Sequence, residues 1–249
     1  MSYRTVAMAI LIASASFGAV PMSASAQSDP EPGMSPDGVP PRSAISLRTP
    51  MGIEWGTANE HEPRSALSTA KLYLADYALR HGDGSAEDRA CAERMIRYSD
   101  DAAADTVAVK YPQAIGSTAA EYGLEQTQST GQWGTSTTST ADLADFLTAK
   151  QTTDPNSPIL DWMATAAPTA VDGTEQNWGT AALPGVQGSK WGWSDMPPQE
   201  VASASFGPGF SVAAHTRGGP AEQTADVMGA LEGIVTDILG VPVVAVRQP

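Results

Sequence analysis

The chain has 249 residues, of which 41% are hydrophobic and 17% are charged, and its formal net charge is −14 at pH 7. This composition is typical of a single globular domain and excludes a fibrous or disordered chain. The strong negative charge argues against nucleic acid or an anionic membrane surface as a partner, because both would repel the protein.

The first 26 residues have the layout of a cleavable signal peptide. Arg4 precedes an apolar stretch that is interrupted by serines, and Ala24-Ser25-Ala26 stands directly before Gln27. Such a segment is too short and too polar for a transmembrane helix, and no later apolar run is long enough to span a bilayer. We therefore predict an exported protein, secreted or held in the cell envelope, with no membrane span.

Residues 27–42 hold five prolines and little that could pack, which predicts a tether. Two short β-like runs, AISL and GIEW, follow and end near residue 56. From residue 65 to about residue 167 the patterns are helical. They include the segment SALSTAK, a segment that Ser85 opens as a helix cap, and residues 140–150.

The C-terminal part returns to strands. The runs VQGSKWGWS, EVASASF and FSVAAHT predict three strands, and the last two are joined by a Gly-Pro-Gly turn. A periodic amphipathic helix follows Pro220. Strands at both ends of a helical middle predict one domain over 43–249, with a sheet part (43–64 and 184–249) and an inserted helical lobe (65–183).

Lys71 stands three residues after Ser68, on a helix that is apolar on almost every side. This spacing places the two side chains next to each other, one helical turn apart. A serine hydroxyl becomes a good nucleophile when a base removes its proton, and a lysine in an apolar environment keeps a useful neutral fraction. The alternative is a helix cap followed by a lysine whose ammonium group reaches solvent.

Two further motifs follow in a fixed order: residues 99–101 read SDD, and residues 190–192 read KWG. Together with residues 68–71, STAK, they resemble the S-x-x-K, S-D-N and K-T-G elements of the class A β-lactamase and penicillin-binding protein superfamily. The segments TSTADLADFL and AALPGVQGSKWG are also similar to that family. The resemblance implies an α/β (α+β) fold in which an antiparallel sheet is flanked by helices and carries an inserted all-helical lobe.

The resemblance also implies roles for individual residues. Ser68 matches the nucleophile that becomes acylated, and Lys71 matches the base or proton relay beside it. Ser99 matches the hydroxyl that passes a proton to the leaving nitrogen. The backbone N–H groups of Ser68 and Trp193 would form the oxyanion hole. The catalytic set implied by the resemblance is therefore a serine, a lysine and a second serine.

Substrate-binding roles follow from the same resemblance. Lys190 matches the cation that attracts the substrate carboxylate, and Arg217 could supplement it. Gly192 removes a side chain where the substrate must approach closely. Two residues of this set depart from the family: Asp101 replaces an asparagine and could hold Lys71 charged, and Trp191 replaces a threonine and would place a large ring near the site.

A third departure concerns deacylation. Class A enzymes carry a glutamate on the Ω-loop that serves as the deacylation base. The corresponding stretch here, QTQSTGQWGTSTTST at residues 126–140, contains no acidic residue. The sequence therefore predicts an enzyme that is acylated more readily than it is deacylated.

These observations favour an exported serine acyl-transfer hydrolase that acts on a β-lactam or a D-alanyl peptide through an acyl-Ser68 intermediate, as a monomer without cofactor or metal. One alternative is a D,D-carboxypeptidase-like hydrolase of the cell wall. Another is a catalytically decayed module that binds peptidoglycan fragments or a partner protein. The single cysteine, Cys91, reads as a small core residue, and His215 reads as a strand-end residue near the cleft.

The signal peptide gives the first testable prediction. Export should release a mature chain that begins at Gln27, because the small residues at 24 and 26 fit the cleavage site. Terminal sequencing of protein recovered from the culture fluid or the cell envelope checks this. Full-length protein found in the cytosol alone would contradict it.

Overall fold

The computed structural model describes residues 38–240. The predicted signal peptide and residues 27–37 of the predicted tether lie outside the described residues. Within them, the strands are β1 (Ser43–Arg48), β2 (Glu54–Gly56), β3 (Arg64–Ser65), β4 (Thr137–Thr138), β5 (Gly188–Trp193), β6 (Val201–Gly207) and β7 (Phe210–Thr216). The α-helices are α1 (Ala70–His81), α2 (Ala86–Tyr98), α3 (Asp101–Lys110), α4 (Ala114–Tyr122), α5 (Thr140–Thr153), α6 (Pro158–Ala164) and α7 (Pro220–Ile238).

Five strands form one antiparallel sheet in the order β2-β1-β7-β6-β5. β6 and β7 form a hairpin whose turn holds Gly209 at a φ of 79°, a conformation that glycine adopts without steric cost. β1 pairs with β7 along its whole length, from Ser43 opposite Thr216 to Arg48 opposite Ser211. The first strand therefore lies beside the last, which confirms the prediction of one sheet built from both ends of the domain.

α7 covers one face of this sheet. Val227 and Leu231 on its apolar stripe are buried against Ile45, Leu47 and Val212 of the central strands. Each of these side chains contributes about 1.5–3 kcal/mol when it is fully buried. The periodic apolar pattern after Pro220 thus serves to attach the last helix to the sheet.

α5 covers the other face, and α6 packs against β5. Ser211 of β7 donates a hydrogen bond of 2.8 Å to the backbone carbonyl of Ala144 in α5. The core of the helical region is continuous with the sheet, because Phe206 and Ala213 belong to the same buried cluster as the helices. The predicted lobe, residues 65–183, therefore includes a helix that lies directly on the sheet.

α1 runs through the centre of the helical region. Its residues Leu72, Tyr73 and Leu74 are almost completely buried, as expected for a helix that is apolar on every side. The Tyr73 ring packs edge-on against Phe146 of α5 with 5.2 Å between ring centroids, and its hydroxyl lies 2.9 Å from the Thr138 hydroxyl. These contacts fix the start of α1, where Ser68 and Lys71 lie, against α5 and β4.

The last residues of the predicted tether pack against the domain, contrary to the prediction. Val39 is buried in the cluster beneath α7, and Arg42 forms an ion pair of 2.8 Å with Asp226 of that helix. The packed part of the chain therefore begins several residues before Ser43, because a valine and an arginine in this proline-rich segment find partners on α7. In the described part of the chain no helix is long and apolar enough to cross a membrane.

Cys91 lies on α2, where it is partly buried and packs against the helical core. Burial raises the pKa of its thiol, with the carboxylates of Glu87 and Asp88 acting in the same direction. A thiol that resists ionisation is a poor nucleophile. The location agrees with its interpretation as a small core residue.

Candidate active site

Ser68 lies on a single turn of 3₁₀ helix, Leu67–Thr69, that leads directly into α1. Leu67 has a φ of 51°, in the left-handed region that a branched side chain rarely adopts. On the opposite side the backbone of β5 approaches so closely that a Cβ on Gly192 would lie 2.7 Å from the Ser68 nitrogen. A glycine is therefore required at residue 192 to let β5 pack against the turn that presents Ser68.

Lys71 is completely buried one turn into α1, and its ammonium nitrogen contacts both serines of the predicted catalytic set. Nζ lies 2.8 Å from Ser68 Oγ, 2.7 Å from the Ser99 carbonyl oxygen and 3.4 Å from Ser99 Oγ. It also forms an ion pair with the carboxylate of Asp101 and lies 4.7 Å from the centroid of the Trp133 ring. The alternative in which this ammonium reaches solvent is therefore wrong.

The charge on Lys71 reflects two opposing effects. Burial, the larger effect, lowers its pKa below the ordinary value, because a charged group loses its hydration. The hydrogen bond and the charge of Asp101 raise the pKa in part. Because the Asp101 side chain is 66% exposed, water weakens its hold on the ammonium. The pKa of Lys71 therefore depends on the balance between burial and Asp101.

Ser99 joins Lys71 to Lys190. It ends α2 in the left-handed conformation, with a φ of 54°, and this directs its hydroxyl into the space between the two lysines. Lys190 donates hydrogen bonds to Ser99 Oγ at 2.8 Å and to the Trp191 carbonyl at 2.9 Å. The atoms Ser68 Oγ, Lys71 Nζ, Ser99 Oγ and Lys190 Nζ form one continuous hydrogen-bonded chain. Protons can move along such a chain without entering solvent.

Lys190 is itself completely buried, on the face of β5 that meets the helices. Burial and the neighbouring charge of Lys71 place its pKa well below the ordinary value. The structure therefore places Lys190 behind Ser99, away from the surface that a substrate carboxylate would reach.

The residues Asp100 and Asp101 have different tasks. Asp100 caps α3 by accepting hydrogen bonds from the backbone N–H groups of Ala102 and Ala103, and it pairs with Arg94 at 2.6 Å. These bonds occupy its carboxylate. Asp101, the first helical residue, is left with its side chain directed at Lys71. The Asp101 carboxylate therefore contacts the Lys71 ammonium, while Asp100 caps the helix.

Trp191 does not lie in the cleft, contrary to the sequence-based expectation. Successive residues of a strand point to opposite faces, so Lys190 and Gly192 face the nucleophile turn while Trp191 points away. Its ring is buried against Trp178 and Val201, and its indole N–H donates to the Trp178 carbonyl at 2.9 Å. The ring that replaces the family threonine is therefore a core residue here.

Ser68 opens onto a cleft of about 490 Å³. The walls consist of Leu67, Asp101, Asp172, the residues 133–135 and the residues 193–196. Trp133 belongs to the acid-free stretch 126–140, so this stretch contributes an indole and no carboxylate to the cleft. Both proposed oxyanion-hole residues, Ser68 and Trp193, border the cleft; their role there stays a prediction.

Two predicted residues lie elsewhere. Arg217 forms an ion pair of 2.6 Å with Glu62 and does not line the cleft. His215 is buried on β7, and neither ring nitrogen has a hydrogen-bond partner within the described residues. Burial and the charges of Arg64 and Arg217 lower the pKa of His215 to about 3. His215 is therefore a buried residue at the end of β7, and the Glu200 carboxylate lies 3.9 Å from its Nε2.

The sequence analysis missed Asp172 and Asp195, which also border the cleft. Asp172 follows α6 in an irregular segment and accepts a hydrogen bond of 3.1 Å from the Trp193 indole. Asp195 follows β5. No motif marks either position, because both lie in irregular segments whose paths are set by packing and not by local pattern.

Comparison with known proteins supports the architecture. A variant of the last common ancestor of Gram-negative class A β-lactamases is 18% identical, with a TM-score of 0.57 over 78% of this chain and 91% of that chain. Penicillin-binding protein D2 from Listeria monocytogenes, bound to cefotaxime, is 16% identical, with a TM-score of 0.55 over 76% of this chain and 95% of that chain. The chain has the β-lactamase-like fold.

A third structure with this fold is D-alanyl-D-alanine carboxypeptidase from Mycobacterium tuberculosis H37Rv. It is 17% identical, with a TM-score of 0.55 over 77% of this chain and 90% of that chain. No protein-family model and no curated protein matches the sequence. The β-lactamase-like fold confirms the predicted fold class, an antiparallel sheet flanked by helices.

A further buried lysine provides a contrast with Lys71. In α5, Lys150 lies 2.8 Å from Asp76 and 2.6 Å from Asp154, and the side chains of Lys150 and Asp76 are both 1% exposed. Burial alone would lower the pKa of Lys150, but the two carboxylates raise it above the ordinary value. Lys150 is therefore a charged structural residue that ties α1 to α5.

This contrast gives a prediction for two matched variants. Lys150→Met should lower the free energy of unfolding by about 3–5 kcal/mol, because it leaves the buried Asp76 without its closest cation. Lys71→Met should change it by less than about 1 kcal/mol or raise it, because its only carboxylate partner is exposed. Urea denaturation of both variants measures the difference. Equal losses in the two variants would show that Lys71 is structural as well.

Proposed function

We propose that this chain is an exported serine acyl-transfer hydrolase of the β-lactamase and penicillin-binding type, which works through an acyl-Ser68 intermediate. The observation that carries the proposal is the 2.8 Å contact between Lys71 Nζ and Ser68 Oγ, made where burial lowers the pKa of the lysine. A nucleophile within hydrogen-bond reach of a base is the signature of covalent catalysis. The fold neighbours named as β-lactamase and carboxypeptidase support the same class.

The residues of this site account for every proton that moves during acylation. Neutral Lys71 takes the proton of Ser68 Oγ as that oxygen forms a bond to the acyl carbon. Ser99 gives its hydroxyl proton to the leaving atom when the acyl bond breaks, and the Lys71 ammonium, 3.4 Å away, restores the Ser99 proton. The backbone N–H groups of Ser68 and Trp193 would stabilise the oxyanion.

Deacylation has weaker support. The stretch that borders the cleft at residues 133–135 brings the Trp133 indole to the site, and residues 126–140 contain no acid. Asp101 is the carboxylate that contacts Lys71, so it is the group best placed to act on water in place of the missing glutamate. Loss of general-base help costs roughly 10²–10⁴-fold, which favours accumulation of the acyl-enzyme.

The second candidate is a binding module, and one observation favours it. The ion pair with Asp101 raises the pKa of Lys71 in part and so favours the ammonium form, which cannot take a proton from Ser68. A D,D-carboxypeptidase is less well supported, since the predicted carboxylate anchors, Lys190 and Arg217, do not line the cleft. The serine acyl-transfer reaction does not depend on those anchors.

The third prediction tests the acyl-enzyme directly. Incubation with para-nitrophenyl acetate, an uncharged activated ester, should give a burst of about one equivalent of nitrophenolate followed by slow turnover. Intact-mass and peptide mapping should place the acetyl group on Ser68, and Ser68→Ala should show neither burst nor adduct. Benzylpenicillin is tested in parallel as a β-lactam acyl donor. Absence of any adduct with both reagents would leave the binding module as the better function.

The fourth prediction concerns Asp101→Asn. Removing the carboxylate removes an effect that raises the pKa of Lys71, so the pKa falls and more of the lysine is neutral at a given pH. The rising limb of the acylation rate should therefore move to lower pH, with several-fold faster acylation at neutral pH. Stopped-flow bursts measured across pH check this, with the exposed Asp237→Asn on α7 as the charge-matched control.

The Asp101→Asn variant also distinguishes acylation from deacylation. If Asp101 serves as the base for water, Asp101→Asn speeds the burst but slows the later turnover. An acylation profile that is unchanged or shifts to higher pH would show that Asp101 does not control the base.

A further inference from the structure

The cleft in front of Ser68 presents carboxylates and no cation. Asp101, Asp172 and Asp195 border it, and none of the described residues that line it is lysine, arginine or histidine. Lys71 contacts Ser68 from beneath and has no exposed surface. A ligand that enters the cleft therefore meets negative charge first.

The two basic side chains that were predicted to bind a substrate carboxylate, Lys190 and Arg217, interact with other groups of the protein. Lys190 is completely buried and donates to Ser99 and to the Trp191 carbonyl. Arg217 pairs with Glu62. Neither can attract an acidic group on a substrate, whereas the three aspartates would repel one.

Two indole rings complete the walls, and carboxylates hold both. The Trp193 indole N–H donates to Asp172 at 3.1 Å, and the Trp133 indole N–H donates to Asp105 at 2.7 Å. These bonds fix the orientation of each ring. An aromatic face beside carboxylates is the surface that binds organic ammonium groups, through cation–π attraction and charge.

From these observations we infer that the acyl donor of this site is a cationic ester or amide, whose ammonium group lies between Trp193, Asp172 and Asp195 while its carbonyl meets Ser68. The inference rests on the proposed function and deepens it by naming the substrate class. The reaction is unchanged: the Ser68 Oγ–acyl bond forms, the ester or amide bond breaks, and the leaving group departs with the Ser99 proton. No further reactant is required.

Asp172 is the specificity residue with the clearest geometry. One carboxylate oxygen accepts from the Trp193 indole, and the other accepts from the Thr174 backbone N–H at 2.9 Å. These bonds hold the carboxylate in place, and each oxygen keeps a free lone pair for a ligand. Because Asp172 and Asp195 are both exposed, replacing them with asparagine should leave the fold intact.

The test compares three para-nitrophenyl esters of similar size. One carries a terminal trimethylammonium group, the second is its uncharged isostere with carbon in place of nitrogen, and the third is the glutarate monoester, which carries a carboxylate. Acylation of Ser68 at low ionic strength should be roughly tenfold faster for the cationic ester than for the isostere, and slowest for the glutarate ester. Added salt should reduce the preference.

Variants assign the preference to the cleft. Asp172→Asn combined with Asp195→Asn should remove most of the preference, measured as the ratio of the acylation rates of the cationic ester and its uncharged isostere. Asp172→Glu should retain it, and Asp237→Asn, far along α7, should have no effect. A preference that survives the double substitution would overturn the assignment.

The outcomes separate the inference from the proposed function. If none of the esters acylates Ser68 in the wild-type protein, the proposed function fails and the inference fails with it. If all three acylate Ser68 at equal rates, or the glutarate ester reacts fastest, the enzyme stands and only the inferred substrate class is wrong.

Discussion

Burial of the Lys71 side chain is the constraint on which the site depends. Three lysines are buried to within about 1% of full burial, and the number of carboxylates beside each one sets its charge. Lys150 has two carboxylates and a raised pKa, Lys71 has one exposed carboxylate and a lowered pKa, and Lys190 has none and a pKa lowered further. Lys150 ties α1 to α5, whereas Lys71 contacts Ser68 and Ser99, and Lys190 contacts Ser99.

Holding these groups together requires backbone strain. Leu67 and Ser99 are the two non-glycine residues with positive φ among residues 38–240; Leu67 directly precedes Ser68, and Ser99 contacts the Lys71 ammonium. Such conformations cost on the order of 1–3 kcal/mol each and persist where the surrounding structure enforces them. Here the close packing of β5 at Gly192 and the helical core around α1 enforce them. The coincidence of strain with the candidate nucleophile is independent support for a functional site.

Local patterns predicted most of the fold but only the interior of the site. The periodicity of apolar residues located α1 and the β6–β7 hairpin, because each of these elements is formed by residues close together in the chain. The motifs predicted that Ser68, Lys71 and Ser99 lie together, because they occur in the order that the resembling family shows. The direction of the Trp191 side chain depends on which alternate residues of β5 face the helices. The sequence of one strand does not reveal this. The burial of Val39 and the pairing of Arg217 with Glu62 depend on tertiary contacts, and so does the approach of Asp172 to the cleft. The walls that decide substrate choice are therefore the part that sequence reasoning could not reach.

The aspartate at residue 101 links the base to the substrate. Its carboxylate raises the pKa of Lys71 and at the same time adds negative charge to the cleft. A cation bound near Asp101 would lower the pKa of Lys71, because two like charges repel each other. A larger fraction of Lys71 would then be the neutral amine that acylation needs. A bound carboxylate would have the reverse effect and hold the base protonated. In the proposed reaction a cationic ligand would therefore offset the effect of Asp101 on the pKa of Lys71, so that one electrostatic interaction joins the protonation of the base to the charge of the substrate.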